Sequence, residues 1–226
     1  MNEILKAECI YKSFFKNSEE VPVLRGVDLT LKEGEMVAIT GASGVGKSTL
    51  LHILGTLELP TSGKVYFGPS KEDIFGYSEK DLAKFRNEIL GFVFQFHYLL
   101  PEFSALENVM MPALIAGWSS QKASEKAQEL LAFVGLEHRM VHCPAELSGG
   151  EQQRVAIARS VVLQPKLLLA DELTGNLDSV NRALVMDLLV KLNEKLGVSI
   201  LLITHDLKLT EKTHRTLLMK DGVFVS

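Results

Sequence analysis

The chain has 226 residues, 46% of them hydrophobic, and a formal net charge of -4 from 24 Lys+Arg against 28 Asp+Glu. That is enough apolar chain for a substantial core and fits one compound domain; the slightly acidic balance argues against a nucleic-acid coat. No apolar run approaches the roughly 20 residues of a membrane span, the start Met1–Glu8 lacks a signal peptide's basic and apolar blocks, and Cys9 and Cys143 read as isolated cytosolic thiols.

Residues 4–15 and 23–31 alternate apolar and polar side chains and predict antiparallel strands joined by the polar loop Lys16–Glu20. The run Met36-Val37-Ala38-Ile39 reads as a buried strand, and Ser48–Leu54 as a helix. Thr61-Ser62-Gly63 turns into a strand at Lys64–Phe67. Residues 79–89 read as a helix leading into an apolar strand at Leu90–Phe94. Apolar residues at three- and four-residue spacing predict helices over Ala105–Ala116 and Gln121–Val134, and a further helix is expected from about Glu151 to Leu163. Leu167–Ala170, Ser199–Thr204 and Thr216–Met219 read as strands in a region that alternates strand and helix, which implies a mainly parallel sheet. The chain ends soon after, so no C-terminal regulatory domain is expected, and there is no internal repeat.

Between the strand at 36–39 and the helix from Ser48, Gly41-Ala42-Ser43-Gly44-Val45-Gly46-Lys47-Ser48 fits G-x-x-x-x-G-K-[ST], in the strand–loop–helix context that motif requires. Glycines let backbone N–H groups approach phosphate oxygens, and the helix N-terminus adds partial positive charge. Gly41, Ser43, Gly44, Val45, Gly46, Lys47, Ser48 and Thr49 are therefore expected to hold a nucleotide's phosphates, with Lys47 on the β- and γ-phosphates and Ser48 on Mg2+. The strand at 167–170 ends in Asp171 and Glu172, adjacent carboxylates suited respectively to Mg2+ and to positioning or deprotonating water. Leu147-Ser148-Gly149-Gly150-Glu151 opens a helix, where Ser148, Gly150 and exposed N–H groups offer an anion site; an ordinary helix cap is the alternative.

In this order, GASGVGKST at 41–49, LSGGE at 147–151, LLLADE at 167–172 and His205 resemble the ATP-binding cassette, the motor subunit of ABC transporters. The resemblance covers nearly the whole chain. It implies an α/β fold: a P-loop NTPase (RecA-like) core with an antiparallel β subdomain, about 1–95 and 157–226, and an inserted helical subdomain, about 96–156. It further implies that Gln95 touches Mg2+ or the attacking water, that His205 contacts the γ-phosphate, and that Ser148 and Gly150 meet the nucleotide of an opposite subunit. Asn176-Leu177-Asp178 resembles the loop that crosses between the subunits. Phe14 best matches the family's adenine-stacking aromatic, usually Tyr, with Tyr11 and Phe15 nearby. Leu173 stands where many members carry Pro, which leaves the local backbone open because Leu lacks proline's fixed φ.

Residues 91–109, GFVFQFHYLLPEFSALENV, resemble the lipoprotein-releasing branch of this family. That branch implies a homodimer of ATPases with ATP and Mg2+ at its interface, integral membrane permease subunits as partners, no nucleic acid, and a place on the cytoplasmic face of the inner membrane. ATPases of macrolide-export or cell-division complexes are the alternative reading. Phe96, Tyr98, Leu99, Leu100 and Phe103 follow Gln95 directly and form either a docking surface for a partner helix or part of the helical core.

Overall fold

The computed structural model describes residues 2–17, 19–69, 72–175 and 177–225. The alternating segments form β1 (Glu3–Lys16) and β2 (Glu19–Lys32), paired antiparallel, with β4 (Ser62–Phe67) antiparallel on the other side of β1. The continuous apolar runs go elsewhere. They form β3 (Met36–Thr40), β5 (Leu90–Val93), β6 (Leu167–Asp171) and β7 (Ser199–Ile203), which join β8 (Arg215–Lys220) and β9 (Val223–Val225) in a second sheet. Its order is β5-β6-β7-β3-β8-β9, and all neighbours are parallel except β8 and β9.

These runs are unbroken because both faces of the sheet are covered. Met36, Ala38, Leu168, Ala170, Ile200 and Leu202 enter one core, shared with α3 (Ala105–Ile115), α4 (Ser120–Phe133), α5 (Gly149–Ser160) and α6 (Ser179–Leu196). Val37, Ile39, Leu167, Leu169, Leu201 and Ile203 enter the other, shared with β1, β2 and α1 (Lys47–Leu54). The helix α2 (Glu79–Ile89) precedes β5, and Ser78 caps it by accepting from the Asp81 N–H.

Two elements depart from expectation. The α5 helix begins at Gly149 because Ser148 and Glu151 close a reciprocal capping box that admits both glycines to the first turn. It runs unbroken across residue 156, where the subdomain limit is expected, and stops at Ser160, ahead of Gln164 with φ 54 and Pro165. The strand β9 was not expected; Asp221 and Gly222, with φ 49 and 79, make the tight turn that returns it onto β8.

Because β3, β5, β6 and β7 are parallel, their C-terminal ends lie along one edge of the sheet. Registry fixes the alignment: Ile39 and Asp171 both pair with Ile203, and Ala170 pairs with Val93. Residues just beyond these positions share that edge, where open α/β sheets hold their ligands.

Candidate functional site

The loop from Gly41 to Gly46 leaves β3 and enters α1. A Cβ on Gly41 would collide with the Met219 carbonyl of β8, and Gly46, with φ 107, turns the chain into the helix. Lys47 is buried, and its ammonium donates to the carbonyls of Gly41 at 2.9 Å and Ala42 at 2.8 Å, spanning the mouth of the loop. Burial lowers the Lys47 pKa from its ordinary value, against the opposing pull of the Glu172 and Asp171 carboxylates.

The Ser48 hydroxyl donates to Asp171 Oδ1 at 3.2 Å, so residues 123 positions apart meet at the ends of α1 and β6. Burial pushes the Asp171 carboxyl up, while the Ser48 hydrogen bond works the other way. Next along, Glu172 has φ 47, a left-handed backbone rare for a residue with a side chain. Its N–H donates to the Ile203 carbonyl, and its Oε1 lies 2.7 Å from His205 Nε2. Leu173 is buried in the main core and serves there as a packing residue. A small cleft of about 160 Å³ lies between Glu172, Thr174, Gly175, Arg182, His205 and Asp206. Gln95 leaves β5 toward the same place: its Nε2 lies 3.2 Å from the position of a Cβ built on Gly175.

The oxygen donors here suit a hard cation. A hydroxyl and a carboxylate are in contact, and a side-chain amide stands at the neighbouring strand end; Mg2+ commonly takes few protein oxygens beside waters and substrate phosphates. Among the described residues there is no cluster of three or more His, Cys, Asp or Glu side chains of the kind a closed protein metal cage would need.

Beside the loop, Val21, Val23, Arg25, Ser43, Gly44 and Asp221 line a recess of about 440 Å³. Phe14 pairs across the hairpin with Val21 at its rim, is 41% exposed, and carries the Lys12 ammonium 4.8 Å from its ring centroid. A larger cavity of about 810 Å³ lies at the opposite ends of β3 and β6, where Glu33 and Lys166 precede the strands, and none of the residues above lines it.

The family pattern for the ABC transporter matches residues 24–175. The chain belongs to the ABC transporter family. The lipoprotein-releasing system ATP-binding protein LolD of Geobacter metallireducens is 54% identical over 226 residues, covering all of both chains. The LolD protein of Aquifex aeolicus is 53% identical and covers 100% of this chain and 97% of its own. Among solved structures, the dimeric ATP-binding cassette MJ0796 in a post-hydrolysis state bound to ADP and Pi superimposes with a TM-score of 0.90 at 38% identity, covering 99% of this chain and 97% of that one.

As an ABC cassette, the chain gathers Lys47, Ser48, Asp171, Glu172, His205 and Gln95 at one sheet edge. Ser148 and Gly150 are not part of that cluster. Ser148 is engaged with Glu151, and Gly150 is buried against Asn181 of α6, whose amide occupies the space a Cβ would need. Of the loop at 176–178, Asn176 lies outside the described residues, while Asp178 caps α6 by accepting from the N–H groups of Val180 and Asn181. In the segment after Gln95, Phe96 is 62% exposed and Tyr98 65%, whereas Leu99 packs against the main core. Sequence reading missed Asn181, Arg182, Arg159 and Asp221; only Asp221-Gly222 carried a usable signal, the Asp-Gly turn.

Proposed function

We propose that this chain is the ATP-hydrolysing motor of an ABC transporter that releases lipoproteins from the inner membrane toward a periplasmic carrier. The observation that carries the reading is the meeting of Ser48, Asp171, Glu172 and His205 at the strand ends that follow the phosphate loop. Full-length identity of 54% to a LolD protein supports the lipoprotein cargo.

In this reading the loop amides and Lys47 bind the β- and γ-phosphates, and the ammonium exchanges its carbonyl partners for phosphate oxygens. Ser48, Asp171 and Gln95 would hold Mg2+, which would supply charge neutralisation on the phosphates when bound. Glu172 accepts the proton of the attacking water or orients it. His205 donates to Glu172 Oε1 and so fixes the carboxylate's direction, and in this reading its ring meets the γ-phosphate. Phe14 stacks on adenine above the recess. Two copies then form a sandwich in which Ser148 and the α5 N-terminus of one chain face the phosphates bound by the other, as the dimeric state of MJ0796 suggests.

Among the described residues no helix is long and apolar enough to cross a membrane. Attachment therefore falls to integral membrane subunits at the cytoplasmic face, and the exposed Phe96, Tyr98 and Leu100 receive them. The test is purification from the native membrane followed by reconstitution. Co-purifying membrane proteins and ATP-dependent transfer of a lipoprotein to a soluble carrier are expected. With Glu172→Gln, MgATP binding and ATP-dependent dimerisation persist while turnover and transfer stop. Co-purification with a solute permease, or transfer unaffected by Glu172→Gln, refutes the reading.

A further inference from the structure

The α5 helix is capped by Ser148 at its start and ends beside the segment that follows Gln95. At that end Arg159 donates from Nη1 to the Tyr98 carbonyl at 2.7 Å and from Nη2 to the His97 carbonyl at 2.8 Å. Among the described residues it has no carboxylate partner. A partly buried guanidinium held by two main-chain carbonyls, with no carboxylate to balance it, is an expensive arrangement for mere packing. The planar fork matches it to two successive carbonyls, a geometry that a point-charge ammonium cannot reproduce.

The backbone it grips is itself strained. Tyr98 has φ 46, a left-handed conformation that a residue with a side chain keeps only where its surroundings over-determine it. The Tyr98 ring meets Phe94 edge-on at 5.6 Å and Phe96 at 6.4 Å, on either side of Gln95. Phe94 in turn lies 5.8 Å from Phe92, stacked, and 6.3 Å from His52 of α1. Residues 94–98 are thus held through rings on one side and through Arg159 on the other.

We propose that Arg159 is a positioning residue for hydrolysis: by holding the His97 and Tyr98 carbonyls it fixes the direction in which Gln95 enters the site. This rests on the ATPase reading above. Gln95 stands two residues beyond the strand end at Val93, so its backbone is set by that strand end on one side and by the turn at 97–98 on the other. Losing the fork lets the strained turn relax and Gln95 swing, while Lys47, Ser48 and the phosphate loop stay as they are.

The experiment uses the full chain with Arg159→Met, Arg159→Lys, Gln95→Ala and the double variant Arg159→Met/Gln95→Ala. Nucleotide affinity, steady-state hydrolysis and backbone hydrogen exchange are measured on each. Arg159→Met is expected to lower kcat at least tenfold with the MgATP dissociation constant within about twofold of wild type. Arg159→Lys, with one donor centre, falls between. Exchange rises over 94–100 and remains unchanged in the middle of α5. The double variant is no slower than Gln95→Ala alone, because both changes remove one function. Wild-type kcat in Arg159→Met overturns the proposal, and so does a double variant whose losses multiply. If Arg159→Met does not fold, Arg159→Lys and Tyr98→Gly, which relieves the positive φ, carry the same test: kcat unchanged in both overturns it. A wild-type chain that neither binds nor hydrolyses MgATP defeats the ATPase reading instead.

Discussion

Gly150→Ala separates two reasons for a glycine at this position. In the structure the new Cβ would fall on the Oδ1 and Cγ atoms of Asn181, well inside contact distance. Asn181 cannot simply swing away, since its Nδ2 donates to Asp178 Oδ2 at 2.7 Å and its Oδ1 accepts from Arg154 Nη1 at 3.3 Å. Overpacking of this kind costs about 1–3 kcal/mol, and losing the two hydrogen bonds costs about 1 kcal/mol each. Replacing Gly by Ala in a helix returns up to about 1 kcal/mol. The net expectation is a loss of about 2–5 kcal/mol, or a fall in Tm of roughly 4–20 °C for a chain of this size. Gly149→Ala is the control, because nothing lies within 4 Å of its Cβ position; its stability should match or exceed wild type. Thermal and urea unfolding measure both, and Gly150→Ala/Asn181→Ala should recover part of the loss. ATPase activity that returns with stability in the double variant assigns Gly150 to packing alone. Activity that stays lost in a restabilised double variant places Gly150 against the partner's nucleotide. A Gly150→Ala variant as stable as wild type would falsify the steric argument.

Lys47→Ala should raise the dissociation constant for MgATP at least about tenfold, the scale of a charge-assisted hydrogen bond, and abolish phosphate release; wild-type turnover would remove the phosphate site from this loop. Phe14→Ala should weaken ATP and GTP alike by about 5- to 150-fold, the range of one base–aromatic stack; unchanged affinity by titration calorimetry would move the stacking to Tyr11 or Phe15, or away from aromatics. Phe96→Glu and Leu100→Glu should release the membrane subunits during co-purification while nucleotide affinity stays at wild type, since both side chains are exposed. Leu99→Glu is the wrong probe for docking, because Leu99 lies against the main core and a charge there would unfold the neighbourhood.

What was legible in the sequence was whatever chemistry sits next to a change of periodicity. The phosphate loop stands between an apolar run and a helix, and Asp171 and Glu172 end an apolar run; parallel pairing then had to bring them to one edge. The segment after Gln95 was not legible in the same way. It is neither helix nor strand, so no period assigns its faces, and Phe96, Tyr98 and Leu100 stay exposed while Leu99 packs against the core. Arg159 and Asn181 left no signal at all. Their partners are main-chain carbonyls and the missing Cβ of a glycine, and neither leaves a residue-type pattern at the other end of the contact.

Those two silent contacts sit at opposite ends of one element. A 12-residue helix is about 18 Å long and is the stiffest connection available between two points in a small domain. Asn181 holds the start of α5 against α6, whose cap Asp178 lies six residues beyond Glu172. Arg159 holds its end against the carbonyls that follow Gln95. A displacement of α5 therefore cannot be absorbed inside the helix; it must appear at the α6 cap, at the turn after Gln95, or at both. The end of α5 that Ser148 caps is thus mechanically joined to two loops of the sheet edge that gathers Glu172 and Gln95, through contacts that involve no residue of the loop from Gly41 to Gly46. In the proposed dimer, closure of two such chains on nucleotide would be felt at Gln95 and beside Glu172 without any rearrangement of the loop from Gly41 to Gly46.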